Sequence, residues 1–299
     1  MSDSRAKDPA SPDKVVLSKS NALVADWLDL LTSKGIRKQG LFIVAGERAV
    51  SETIERHPAL ARSLILCNDR HVPKLNVSSI EENRGHSGKH LNFGAGADSY
   101  RALVLRARDL TSKNETRFSV VAVDKAIFDE LDISGTHAPL LLAHTPEISE
   151  ADLTKAPVGL EILCALGDPL NVGALLRSAA AFGASKVILL KECASPFHPK
   201  AGRAASASTL ITPLAKGPSI RDLASAAGPI LALDMKGKSL ATFAWPTNAR
   251  LLIGEEGQGV PSANNFDYLA IPMAKDVESL NATVAASIAL FSYSARTPS

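Results

Sequence analysis

Of 299 residues only three are cysteines, Cys67, Cys164 and Cys193. They are odd in number, far apart along the chain and without a CxxC pair, which argues against a disulfide framework and against a cysteine zinc site. Excess charge of either sign is also scarce: 33 Lys and Arg stand against 31 Asp and Glu, a net +2. Bulk electrostatics therefore does not announce a nucleic-acid partner. No stretch reaches the roughly 18 uninterrupted apolar residues of a membrane helix, and residues 1–20 are polar without an apolar run of signal type. The expectation is a cytoplasmic protein with no membrane association and a disordered segment at 1–20. Neither the full GxxxxGK[S/T] spacing of a P-loop nor a GxGxxG turn is present, which disfavours a phosphate cradle. His86 and His90 have HxxxH spacing but sit among glycines without the flanking Glu of a zincin, so a solvated loop and no metal are expected.

Composition is otherwise that of a globular chain, 45% hydrophobic and 21% charged, and the length suggests two domains, each able to bury a core. Apolar runs of strand length at 40–45, 63–67, 118–123 and 139–143 alternate with a helix at 47–55, whose Ala49, Val50, Thr53 and Ile54 point inward. This alternation predicts a small α/β domain over 21–145. Between Lys34 and Lys125 it carries 16 basic against 10 acidic residues, a mild local excess suited to phosphate. The segment 146–157, with Pro146, Glu147, Glu150, Asp152 and Pro157, reads as a linker. From 158 to 299 strands are expected at 159–166, 186–190, 229–233, 250–253 and 268–273, with helices at 172–182, 220–226 and 280–291. In the last of these Leu280, Val284, Ile288 and Phe291 form one apolar stripe. Short connections between apolar strands imply a mostly parallel sheet covered on both faces.

Three segments of the second half carry chemistry: Asp168-Pro-Leu-Asn171-Val-Gly173-Ala-Leu-Leu-Arg177, Ile253-Gly254-Glu-Glu256-Gly257-Gln-Gly259-Val-Pro261, and Ile271-Pro-Met273-Ala-Lys-Asp-Val-Glu-Ser279-Leu280-Asn281. Singly, each has an ordinary reading. Asn171 could cap the helix that follows it, Ser279 could cap the last helix, and the glycines could make a surface turn. Arg177 is flanked at i−4, i−3, i+3 and i+4 by Gly173, Ala174, Ala180 and Ala181, so its guanidinium has no large neighbours on that face. Jointly they are three loops at strand ends, where parallel sheets bind ligands.

In order and spacing these segments resemble the three motifs of the SpoU (TrmH-like) RNA ribose methyltransferases of the SPOUT superfamily. The resemblance implies a C-terminal trefoil-knotted parallel-sheet domain that dimerises, S-adenosylmethionine as cofactor, and transfer of methyl to a ribose 2′-hydroxyl of ribosomal RNA, less readily of tRNA. It assigns catalytic roles to Asn171, Arg177, Glu256, Ser279 and Asn281, and cofactor contacts to Leu252, Ile253, Gly254, Gly257, Ile271, Met273 and Leu280. Lys38-Gln-Gly40-Leu-Phe42 through Val50, and Phe128 through Pro139, resemble the family's ribosomal-protein-like α/β module, which grips structured RNA. Arg37, Lys38, Arg48, Arg101, Arg106, Arg108, Lys200 and Arg203 are the corresponding RNA-binding candidates. This chain has Ala205 and Ala207 where the family shows serine and glycine, and Glu255 and Lys275 where serine and glycine are common. The alternative these departures suggest is an RNA-binding member of the fold that no longer transfers methyl groups.

Overall fold

A computed structural model describes residues 8–71, 97–257, 259–261 and 266–296; His86 and His90 lie outside them. The chain divides into two compact units, 1–145 and 146–299.

In the first unit, β1 (Lys14–Val16), α1 (Ala22–Asp29), α2 (Ser33–Gln39), β2 (Leu41–Val44), α3 (Glu47–Arg56), β3 (Ala61–Cys67), α4 (Asn68–His71), α5 (Ala97–Lys113), β4 (Ser119–Val123), α6 (Lys125–Leu131) and β5 (Leu140–His144) follow one another. The strands form one mixed sheet in the order β1-β4-β3-β5-β2, with β5 antiparallel to both neighbours. Helix α3 buries Ala49, Val50, Thr53 and Ile54, the face its 3.6-residue period predicts. After β3 the chain makes a single helical turn, α4, in which the Cys67 N–H donates to His71 Nδ1 (2.9 Å) and His71 is buried.

The second unit contains β6 (Leu160–Cys164), α7 (Pro169–Ala181), β7 (Lys186–Leu189), α8 (Pro199–Ala205), β8 (Leu214–Lys216), β9 (Ile230–Ser239), β10 (Ala249–Ile253), β11 (Asp267–Ala270) and α9 (Ala282–Arg296). Its sheet, β11-β9-β10-β6-β7-β8, is parallel throughout. Residue alternation serves two cores. Ile162, Cys164, Leu251 and Ile253 pack toward α7 and α9, while Leu163, Ala165 and Leu252 pack on the opposite face with Leu153, Ile220 and Leu223.

Several expectations need correction here. The segment 1–20, expected to be disordered, contributes β1, which pairs in parallel with β4 through Lys14–Val121, Val15–Ala122 and Val16–Val123. The segment 146–157 is not a free linker: Glu150 bridges to Lys216, Leu153 is buried in the second core, and Arg250 holds the carbonyls of Leu153 (3.3 Å) and Lys155 (2.8 Å). The helix expected at 220–226 is one 3-10 turn, Ile220–Asp222, because the Ala227 N–H is taken by Leu153 O (2.9 Å) before a further turn can close. Strand β9 runs past Leu233 to Ser239. The stripe on the last helix faces outward: Val284, Ile288 and Phe291 are exposed, Phe291 by 60%, whereas Ala286, Ala289 and Leu290 fill the core. Among the described residues no helix is long and apolar enough to cross a membrane.

Candidate active site

Because every strand of the second sheet runs the same way, the ends of β6, β9, β10 and β11 open at one edge. The first motif begins there. Asp168, not Asn171, caps α7: its carboxylate accepts from the Leu170 N–H (2.9 Å), and Pro169 occupies the first helical position, where no N–H is needed. Asn171 thus lies inside the first turn with its side chain free for other partners. Gly173 lies where a Cβ would come 2.1 Å from the carbonyl oxygen of Ala201, so only glycine lets α8 approach α7 this closely.

The second motif leaves β10. Gly254 has no room for a Cβ, which would come 2.5 Å from Gly259 O, and Gly257 and Gly259 hold φ of 89° and 67°. This turn brings Glu256 back over the end of β6. Its carboxylate accepts from the Gly167 N–H (2.9 Å), the Asp168 N–H (3.4 Å) and Asn171 Nδ2 (2.8 Å). Asn281 joins from the third motif, its Nδ2 donating to Asn171 Oδ1 (3.1 Å) and its Oδ1 accepting from the Thr283 (2.9 Å) and Val284 (3.2 Å) N–H groups. Asn281 is therefore the cap of α9, and Ser279, the expected cap, stands two residues outside. Thr283 Oγ1 completes the network by donating to Asn171 O (3.1 Å).

Partial burial works to raise the Glu256 pKa, but the bonds from Asn171 and the Gly167 amide outweigh it and hold the carboxyl below its ordinary range. A depressed folded value means the bracket is fully present above the unfolded-chain value and is lost as pH falls through the folded one. The expected result is flat ligand affinity from neutral pH down to mildly acid, then loss below the ordinary carboxylate range. Glu256→Gln should remove that acid limb in a titration by intrinsic fluorescence; an unchanged limb would assign it to another group.

Next to this network is a cavity of about 500 Å³. Ile253, Gly254, Gly257, Ile271, Met273 and Leu280 line it together with Glu256, Ser279 and Asn281. Leu252 does not: its side chain is fully buried on the other face of the sheet, as alternation along β10 requires. Leu233, Asp234 and Met235 also form the wall and escaped the sequence reading, although the end of a parallel strand is where such residues would be sought.

Arg177 stays outside this network. Six residues beyond Asn171, roughly 9 Å along the helix, it lines a shallow depression with Ala174, Ser178 and Ala204 beside Val284 and Phe291. Its side chain is exposed and makes no hydrogen bond or ion pair among the described residues. Arg37, Lys38, Lys200 and Arg203 are likewise exposed. The others are engaged: Arg48 with Glu52 (2.7 Å), Arg101 with Asp8, Arg106 with Glu55 and Asp109 (both 3.7 Å), and Arg108 with Asp13 (2.9 Å). Cys164 and Cys193, distant in sequence, touch at 3.5 Å between sulfurs below the end of β6, and the bond to Cys164 together with burial pushes the Cys193 thiol well up. Among the described residues no group of three or more His, Cys, Asp or Glu is placed to hold a metal.

A fully parallel α/β domain with a ligand cavity at its carboxyl edge, bordered by a carboxylate and two asparagines, defines an enzyme-like ligand-binding class. Residues 161–291, most of the second unit, match the SpoU rRNA Methylase family. Among relatives, a Syntrophobacter fumaroxidans protein named ribosomal RNA small subunit methyltransferase G 2 is 37% identical over 278 residues, 93% of this chain. The chain spans only 48% of that relative's length. An uncharacterized tRNA/rRNA methyltransferase of Mycolicibacterium gilvum is 28% identical, with 86% of this chain and 90% of that one covered. In fold, the chain is similar to an AdoMet-bound rRNA methyltransferase from Sinorhizobium meliloti, with a TM-score of 0.71 and 20% identity over 95% of this chain and 98% of the other.

Proposed function

We propose that this protein is an S-adenosylmethionine-dependent RNA methyltransferase that modifies a ribose 2′-hydroxyl, in ribosomal RNA in preference to tRNA. The observation that carries the reading is the Glu256–Asn171–Asn281 network bordering a cavity within the segment that matches the SpoU family. The cavity suits the cofactor: its volume falls within the roughly 300–1,000 Å³ of small-molecule sites, its walls are mainly apolar, and the Gly254 turn offers bare backbone. When bound, the cofactor supplies an electrophilic methyl on a sulfonium.

The chain's own residues do the rest. Ile253, Gly254, Ile271, Met273 and Leu280 hold the cofactor and exclude water from it. Glu256 fixes Asn171, which together with Asn281 ties the first and third motif loops to the edge of the cavity. Ser279, on that edge, is available to the incoming nucleotide. A 2′-hydroxyl is a weak nucleophile, and Arg177, too basic to act as a general base, stabilises the developing alkoxide and anchors a neighbouring phosphate. Alignment of oxygen, methyl and sulfur supplies much of the remaining acceleration.

The exposed stripe of Val284, Ile288 and Phe291, with Arg177 at its edge, supports a homodimer through this domain. The strand order, with β10 between β6 and β9, supports a threaded, knotted C-terminus. The first unit is read as the RNA-gripping module, with Arg37 and Lys38 exposed and unpaired among the described residues and the paired Arg101, Arg106 and Arg108 able to exchange carboxylate for phosphate, since exposed ion pairs contribute only about 0–1 kcal/mol. A cytoplasmic location suits this substrate.

Calorimetry with S-adenosylmethionine, followed by mapping of 2′-O-methyl positions in RNA from cells with and without the protein, tests the reading. The expected results are micromolar cofactor binding and loss of one methylated position. An absence of binding at millimolar cofactor would reject the enzyme and leave an RNA-binding protein.

A further inference from the structure

Strand β9 does not pair evenly with β11. Ala232 faces Tyr268 and Lys238 faces Leu269, so consecutive residues of β11 oppose residues six apart on β9, and 233–237 loop out. The loop is closed by Gly237, where a Cβ would come 2.3 Å from the Tyr268 carbonyl carbon and 2.4 Å from the Leu269 nitrogen. This outward turn carries Asp234 into the cavity wall, and the neighbouring strand β10 delivers Glu255 to the same cavity. The two carboxylates differ from Glu256, whose oxygens are occupied by three donors. Among the described residues Asp234 accepts only from the Lys236 N–H (2.9 Å), and the Glu255 side chain has no partner. The cations at hand do not neutralise them: Lys238 is paired with Asp267 (3.0 Å), and Lys236 and Lys275 form no ion pair among the described residues. A mainly apolar cavity thus presents two uncommitted negative charges to whatever fills it.

We propose that Asp234, assisted by Glu255, makes the cavity discriminate by charge between the cationic sulfonium cofactor and its neutral thioether product. The inference rests on the cofactor reading given above. In the transfer, the carbon–sulfur bond breaks with its electron pair retained by sulfur, a carbon–oxygen bond forms, and the hydroxyl proton is released to water. The cofactor in the cavity thereby loses one positive charge. The carboxylates attract the sulfonium before transfer and meet an uncharged sulfur afterwards, so binding is strengthened for substrate over product.

Calorimetry on the full chain, with S-adenosylmethionine and S-adenosylhomocysteine titrated separately, tests this without recourse to activity. Asp234→Asn should weaken the sulfonium cofactor about fivefold and the thioether less than about twofold, as expected for a charge a few ångströms away in a partly solvated site. Glu255→Gln should act in the same direction, and raising the salt should narrow the wild-type preference. Equal loss for both ligands, or none, in both variants would overturn the inference while leaving the cofactor reading intact. Wild-type protein that bound neither ligand would overturn both.

Discussion

Arg177→Ala should lower methyl transfer by about 10²–10³-fold, the usual consequence of removing one charge-stabilising donor from a reaction centre. Cofactor affinity should remain within about twofold, because Arg177 is not among the residues lining the cavity. Folding should be untouched. The side chain is exposed, makes no bond among the described residues and lies among Ala174, Ser178 and Ala204, so its loss opens no cavity and leaves no buried partner. Arg177→Lys keeps the charge but not the planar fork and should recover only part of the rate. Initial rates on a defined RNA, with cofactor binding measured in parallel, decide the matter. Activity within tenfold of wild type would remove Arg177 from the chemistry.

The second large effect is on stability. Arg250 is 1% exposed, and its Nε donates to Glu161 Oε2 (2.9 Å) while its terminal nitrogens hold the carbonyls of Leu153, Lys155 and Ala227. Glu161 is 5% exposed and lies directly across from Arg250 in the β6–β10 register, with Lys186 at 3.4 Å as its other partner. Arg250→Ala leaves a buried carboxylate with one lysine and strips the carbonyls of Leu153, Lys155 and Ala227 of their donor, the first of them buried. The expected cost is about 3–5 kcal/mol, read as a lower denaturation midpoint. Segment 146–157 should also become cleavable by protease before global unfolding. A loss below about 1 kcal/mol would mean that water replaces the guanidinium without penalty.

Much of this architecture is legible in residue order. Short apolar runs mark β6 and β10 as strands buried on both faces, and Ala49, Val50, Thr53 and Ile54 show the buried face of α3, because burial imposes these local patterns. The three motif segments announced a site at strand ends. Roles within them were less legible. An asparagine before a helix looks like a cap, and the choice between Asp168 and Asn171, or between Ser279 and Asn281, depends on where the first helical turn closes, which proline placement and tertiary partners set. The stripe on α9 shows a related limit: Val, Ile and Phe at helical spacing mark an apolar face, and nothing local says whether the chain's own core or a second surface covers it.

By itself, then, the sequence determined the alternation of strands and helices, the parallel character of the second sheet and the residue types available at its edge, because these follow from local period and short connections. The tertiary structure alone decided which of them meet. Glu256 reaches Asn171 across 85 residues, Asn281 reaches Asn171 across 110, and Arg250 meets Glu161 across 89. Such pairs depend on strand order and register; for Arg250 and Glu161, both on strands, a shift of one residue would turn the side chain to the opposite face. For the same reason the five-residue turn that carries Asp234 into the cavity has no mark in the sequence except Gly237, and only the close passage of Tyr268 shows why that position must be glycine.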